Sequence, residues 1–92
     1  MDQENKLNQI LELFGNRYDE KRKFYHILDE VAKHPIKIAR LKENEDREGH
    51  LKEEVADLYL LSKLLIILEN VDEKTTEAAL DHFAEKIKEI YS

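Results

Sequence analysis

Apolar residues recur along this chain at the spacing of one helical face in four separate blocks, with polar runs between them. Leu7, Ile10, Leu11 and Phe14 follow the i, i+3, i+4, i+7 pattern of a first helix. Gly15-Asn16 is suited to stop it, because either residue tolerates a left-handed C-terminal conformation. Phe24, Ile27, Leu28 and Val31 repeat the pattern after the charged lead-in Asp19 to Lys23, and Ile36, Ala39 and Leu41 continue it beyond Pro35. Pro35 has no N–H to donate to the Val31 carbonyl and disfavours helical geometry at His34, so a kink, or a break and restart, is predicted there. The stretch from Lys42 to Gly49 contains no apolar residue and reads as a solvated connection.

A third helix is predicted from about His50 to about Glu69. Leu51, Val55, Leu58, Ser62 and Leu65 lie on one face, and Leu61, Leu64 and Leu68 on another. Its second half is apolar nearly all round, which makes it the central helix and requires cover on several sides. Asn70-Val71-Asp72 ends it. A last helix from about Thr75 or Thr76 carries Ala79, Leu80, Phe83, Ile87 and Ile90 on one stripe, with Thr or Asp available as N-cap. Four such helices with short connections predict a single all-α domain over 1–92, built as an antiparallel four-helix bundle.

Composition narrows the classes. The 92 residues are 39% charged and 41% hydrophobic with two Gly and one Pro, which describes a folded, helix-rich protein. A chain this short has much surface for its core, so a homodimer or homotetramer is expected to bury part of it. The absence of Cys excludes disulfides and thiolate chemistry. A formal net charge of −6 disfavours binding nucleic acid, which needs clustered Lys and Arg. The run from Val55 to Leu68 is too short for a bilayer and is interrupted by Asp57 and Lys63, so no membrane role is expected. The polar start Met1-Asp2-Gln3-Glu4-Asn5 is unlike a signal peptide, and a cytoplasmic location is the expectation.

The chemistry concentrates at Glu54-Val55-Ala56-Asp57, two carboxylates one helical turn apart at the mouth of the most hydrophobic run, Leu58 to Leu68. Unpaired carboxylates are costly in such a place, so something must compensate them. A divalent cation gathering acids from facing helices would do so, and so would a salt-bridge cluster with Lys33, Lys37 or Arg40. His34 follows Glu30 by four and His50 precedes Glu54 by four, so either is in helical register to join a cluster, although polar or capping roles are the ordinary use of such residues. His26 and His82 have weaker claims. Tyr18, Tyr25, Tyr59 and Tyr91 read as amphipathic packing.

Ile27-Leu28-Asp29-Glu30-Val31-Ala32, the acidic stretch after it, and Leu51-Lys52-Glu53-Glu54-Val55-Ala56-Asp57-Leu58-Tyr59-Leu60-Leu61 together resemble the MazG-like all-α nucleoside triphosphate pyrophosphohydrolases. The resemblance spans 24–91. It implies a MazG-like bundle in which a Glu-x-x-Glu motif on one helix and a Glu-x-x-Asp motif on the next hold Mg²⁺, with Mn²⁺ as a substitute. Carried over residue by residue, it makes Glu30, Glu54 and Asp57 metal ligands and catalytic groups. It places Lys33 where the second acid of the first motif stands in that family, so Lys33 becomes either a substrate phosphate contact or an ion-pair partner. Another Glu-x-x-Glu, Glu45 to Glu48, is too close to Glu54 to lie on a facing helix. Two functions stay open. One is a Mg-dependent pyrophosphohydrolase cleaving a nucleoside triphosphate to the monophosphate and pyrophosphate. The other is a catalytically silent bundle acting as an oligomeric protein-interaction module.

Overall fold

The computed structural model describes residues 2–45 and 49–92. They form four α-helices, α1 (Gln3–Gly15), α2 (Glu20–Glu43), α3 (His50–Leu68) and α4 (Glu73–Tyr91), with no strand among the described residues. Three of the helices start on an aspartate. Asp2 accepts from the Glu4 N–H at 3.1 Å, Asp19 from Arg22 at 2.8 Å and Asp72 from Thr75 at 2.8 Å, each satisfying a backbone donor that the first turn leaves without a partner. With Asp72 as cap, α4 begins at Glu73, earlier than Thr75 or Thr76. Lys42 and Glu43 belong to α2, so the connection that follows is shorter than expected. Its residues 46–48, and with them Glu48, lie outside the described residues.

The two predicted stops work differently. α1 ends at Gly15 as expected, but Asn16 stays right-handed with φ −71°, and the turn closes because Arg17 and Tyr18 both donate to the Phe14 carbonyl. α3 ends on a true left-handed residue. Asn70 sits at φ 54°, its N–H donates to Ile67 and the Val71 N–H to Ile66, the paired bonds of a Schellman motif.

Pro35 does not break its helix. α2 continues through it to Glu43, at the loss of the bond that an N–H at Pro35 would make to Val31. Because the helix is continuous, its phase is conserved. The inward face runs Ile27, Val31, His34, Ile38 and Leu41, whereas Ile36 and Ala39, expected to restart the stripe, are exposed.

α2 and α3 form the main pair and run antiparallel: Glu20 lies near Glu69, His34 near Glu54, and Arg40 near His50. α1 lies across both. Ile27, with 0% of its surface exposed, packs with Leu7, Leu11 and Leu64, and Phe14, Val31, Leu60, Leu61 and Leu68 surround this cluster. Phe14 and Tyr18 hold the His26 ring between them, at centroid distances of 5.1 and 4.9 Å, which gives His26 a packing role. The helical bundle within one chain is therefore three helices thick. α4 packs against none of the other three among the described residues, and all of its side chains are exposed.

Two consequences can be measured. Ile27→Ala should lower the unfolding free energy by about 2–5 kcal/mol, the usual cost of emptying a fully buried aliphatic site, as read from urea denaturation. At α4, hydrogen bonds from the Thr75 side chain and then its backbone N–H hold the Asp72 carboxyl below the usual carboxylate range. A lowered folded-state pKa contributes stability above the unfolded value and loses it as pH falls through the folded one. Helical circular dichroism from α4 should therefore decline below about pH 4, and Asp72→Ala should remove that acid-sensitive component.

Candidate metal centre

The seam between α2 and α3 changes character along its length. From Leu61 through Leu64 to Leu68 the α3 side is aliphatic, but one and two turns earlier the same inward positions are Asp57 and Glu54. Facing them, the α2 stripe carries His34 where its spacing calls for an apolar residue. The antiparallel register brings these polar positions together at one end of the core.

His34 is buried. Its Nδ1 lies 2.8 Å from the Glu30 backbone carbonyl, and since a carbonyl only accepts, Nδ1 carries the proton and donates. In the neutral ring this leaves Nε2 with a bare lone pair, aimed at Glu54 Oε2 3.2 Å away. That oxygen is itself buried, with no hydrogen-bond partner among the described residues. Two electron-rich atoms facing each other at this distance need a positive centre between them, either a proton or a metal cation. Asp57 completes the group: one donor atom from each of His34, Glu54 and Asp57 lies within 4.8 Å of the others. Leaving a buried acceptor unsatisfied costs roughly 1–3 kcal/mol, a substantial share of the 5–15 kcal/mol typical of a small domain's stability. The orphaned oxygen, the lone pair and the second carboxylate fit a bound cation.

The other acid expected in the site is placed apart. Glu30 contributes its backbone carbonyl to His34, while its carboxylate leans toward Lys33 at 4.0 Å and stays outside the three-donor group. It still borders the site, since Glu30, His34 and Asp57 line a cavity of about 300 Å³ that continues between Leu7, Ile10, Phe14 and Leu60. Lys33 projects outward and pairs with Asp29 at 3.0 Å. That hydrogen bond, then the charges of Asp29 and Glu30, raises its ammonium pKa above the ordinary value. Glu54 faces His34, and among the described residues Lys33, Lys37 and Arg40 form no ion pair with it.

On its other side Glu54 borders a second hollow of about 460 Å³ with Lys37, Arg40, Leu41, His50 and Glu53. Glu54 thus borders a groove that also carries Lys37 and Arg40, while Asp57 faces the cavity on the other side. The donor set of one imidazole nitrogen and two carboxylates is mixed, and imidazole suits Zn²⁺, Fe²⁺ or Ni²⁺ better than the all-oxygen preference of Mg²⁺. Sequence reasoning put His34 in register but gave it an ordinary polar role. The signal that identifies it is its place in the Ile27, Val31, Ile38, Leu41 stripe, which the assumption of a break at Pro35 conceals.

Compared with known protein families, curated proteins and solved structures, the chain finds no match. Fold and site define the class by themselves: an all-α helical bundle with a His-Glu-Asp cluster that could hold a metal ion, and in which no helix among the described residues is long and apolar enough to cross a membrane.

If the cluster takes a cation, Mn²⁺ or Zn²⁺ should raise the melting temperature after treatment with chelator, by linkage worth about 2.7 kcal/mol at a hundredfold excess over Kd. Glu54→Gln should abolish that rise. Its amide N–H₂ can donate to His34 Nε2, so the metal-free variant should be at least as stable as the metal-free wild type. A wild-type melting temperature indifferent to every divalent ion would assign the gap to a proton instead.

Proposed function

We propose that this protein is a metal-dependent nucleotide pyrophosphohydrolase of MazG-like type, with the ion held by Glu54, Asp57 and His34. The observation that carries the reading is the orphaned Glu54 oxygen facing the His34 lone pair beside Asp57. When bound, a divalent ion in this class of site neutralises phosphate charge and makes a water molecule nucleophilic near neutral pH. The chain's own residues supply the rest. Glu54 and Asp57 are one turn apart and converge from a single rigid helix, while the Glu30 carbonyl fixes the His34 ring so that Nε2 points inward. Lys37 and Arg40, in the groove beside Glu54, are placed to bind the phosphate chain. Glu30 borders the site as a further carboxylate, available to a water or a second ion. Lys33, held by Asp29, would have to leave that partner to reach a phosphate.

The expected metal follows from the donors. Mg²⁺ is the family's ion, but the nitrogen of His34 favours Zn²⁺ in this chain, with Mn²⁺ behind it. A second reading, an interaction module without catalysis, draws on a different observation, the wholly exposed α4.

Pyrophosphate release from a panel of nucleoside triphosphates, with Mg²⁺, Mn²⁺ or Zn²⁺ supplied in turn, tests the proposal. Release should depend on the ion, be higher with Zn²⁺ or Mn²⁺ than with Mg²⁺, and fall by at least about 100-fold in Asp57→Asn and Glu54→Gln, in line with the loss of a ligand that positions the ion. Metal binding without release from any nucleotide would leave the metal site standing and remove the hydrolase.

A further inference from the structure

α4 is an amphipathic helix that packs against no other helix among the described residues. Leu80, Phe83, Ile87 and Ile90 form a single stripe, with Phe83 61% and Ile90 62% exposed, and Tyr91 extends it at the end. Most helical stability in proteins comes from packing the apolar face rather than from propensity, so α4 with its stripe bare lacks its main support. α3 has the opposite lack. Its inward face is used by α1 and α2, but Val55, Tyr59 and Ile66 stand exposed on the reverse face, in helical register with half-buried Ser62. Both helices are 19 residues long, so the two bare stripes match in extent.

Within one chain these stripes do not meet. The Schellman bonds at Asn70 and the Asp72 cap leave only Val71 between two hydrogen-bonded helix ends, and this tight turn sends α4 away from α3. The molecule is expanded as a result. Its radius of gyration is 15.9 Å, against about 12 Å for a compact domain of this length. It exposes 7791 Å², against roughly 5,600 Å² for a compact globule of its mass. The excess, roughly 2,200 Å², is more than the about 800 Å² per partner that a standard interface buries.

We infer that two copies of this chain exchange their α4 helices, each laying the Leu80, Phe83, Ile87 and Ile90 stripe on the Val55, Tyr59 and Ile66 face of the other's α3. A second copy is the occupant that satisfies both stripes at once. A two-fold axis turns one helix contact into two identical ones and closes the assembly with neither stripe left over. Each half then contains a fourth helix on the three-helix core, contributed by its partner. The edges are compatible in charge: Lys63 leans over the Tyr59 ring at 5.4 Å and Lys52 borders the same side of the α3 stripe, while Glu73 and Glu77 border the α4 stripe. The inference is independent of the metal site.

Sedimentation velocity of the full chain across micromolar concentrations should give a dimer. Phe83→Asp with Ile87→Asp should weaken dimerisation by at least about 10-fold, as loss of a central aromatic anchor does. Since α4 touches no other helix, the substituted chain should keep its three-helix core, checked by a cooperative urea transition. The chain lacks Cys, so single cysteines report geometry cleanly. Tyr59→Cys mixed with Phe83→Cys and treated with a short bismaleimide should give the mixed crosslink in preference to either self-crosslink. A monomer at high micromolar concentration, a dimer indifferent to the α4 substitutions, or a dominant Phe83→Cys self-crosslink would each overturn the exchange. In the first case α4 serves a different partner, and in the last α4 pairs with α4.

Discussion

Ile27 is enclosed between α1 and α3 with no exposed surface, and that contact sets the register of α2 against α3 along their whole length. Moving inward positions by even one residue would rotate each side chain by about 100° and carry the stripe off the seam. With Ile27 seated beside Leu64, the antiparallel geometry places His34 two turns further along opposite Glu54, and Arg40 opposite His50. The aliphatic end of the seam thereby positions the polar end. A cluster whose buried atoms repel one another in the absence of a cation is held in place by a hydrophobic contact about two turns away.

The polar end is a liability to folding, and the core that sustains it is small. Among the described residues, only Leu7, Leu11, Ile27 and Leu64 form the buried apolar cluster. A buried carboxylate oxygen without a partner offsets a good part of what such a core supplies, so the arrangement is consistent with a site that gains stability from what it binds. A cation bound there would couple function and fold through Glu54, because it would satisfy the orphaned oxygen on the seam.

Much of the architecture was legible in the chain because helical periodicity and caps are local. The four helices, the stop at Asn70 and the position of Glu54 and Asp57 at the mouth of the α3 seam all follow from residues within one or two turns of one another. What was not legible depends on phase across distance. Pro35 suggested a break, and a break resets the phase, so Ile36 and Ala39 were placed inward and His34 lost its place in the stripe. Glu30 looked equivalent to Glu54 by motif, but its carboxylate goes to the neighbouring Lys33 while its backbone carbonyl serves the site, a division that no spacing rule describes. The stripe on α4 was clear from its spacing. That it would find no groove in its own chain was not, because direction of exit is a property of the turn rather than of the helix.

The exchange inferred above would originate in that turn. Only Val71 separates the left-handed Asn70 from the capping Asp72, so the direction in which α4 leaves α3 is set by the turn rather than by the stripe on α4. A few residues inserted there would give the helix slack to fold back over its own α3 and convert an exchanged pair into a self-contained bundle. Removing the left-handed residue and its neighbours would instead fuse α3 and α4 into one rod of roughly 60 Å. Insertions or deletions at this single turn would therefore move the chain between monomer, exchanged pair and extended rod while leaving every packing surface as it is.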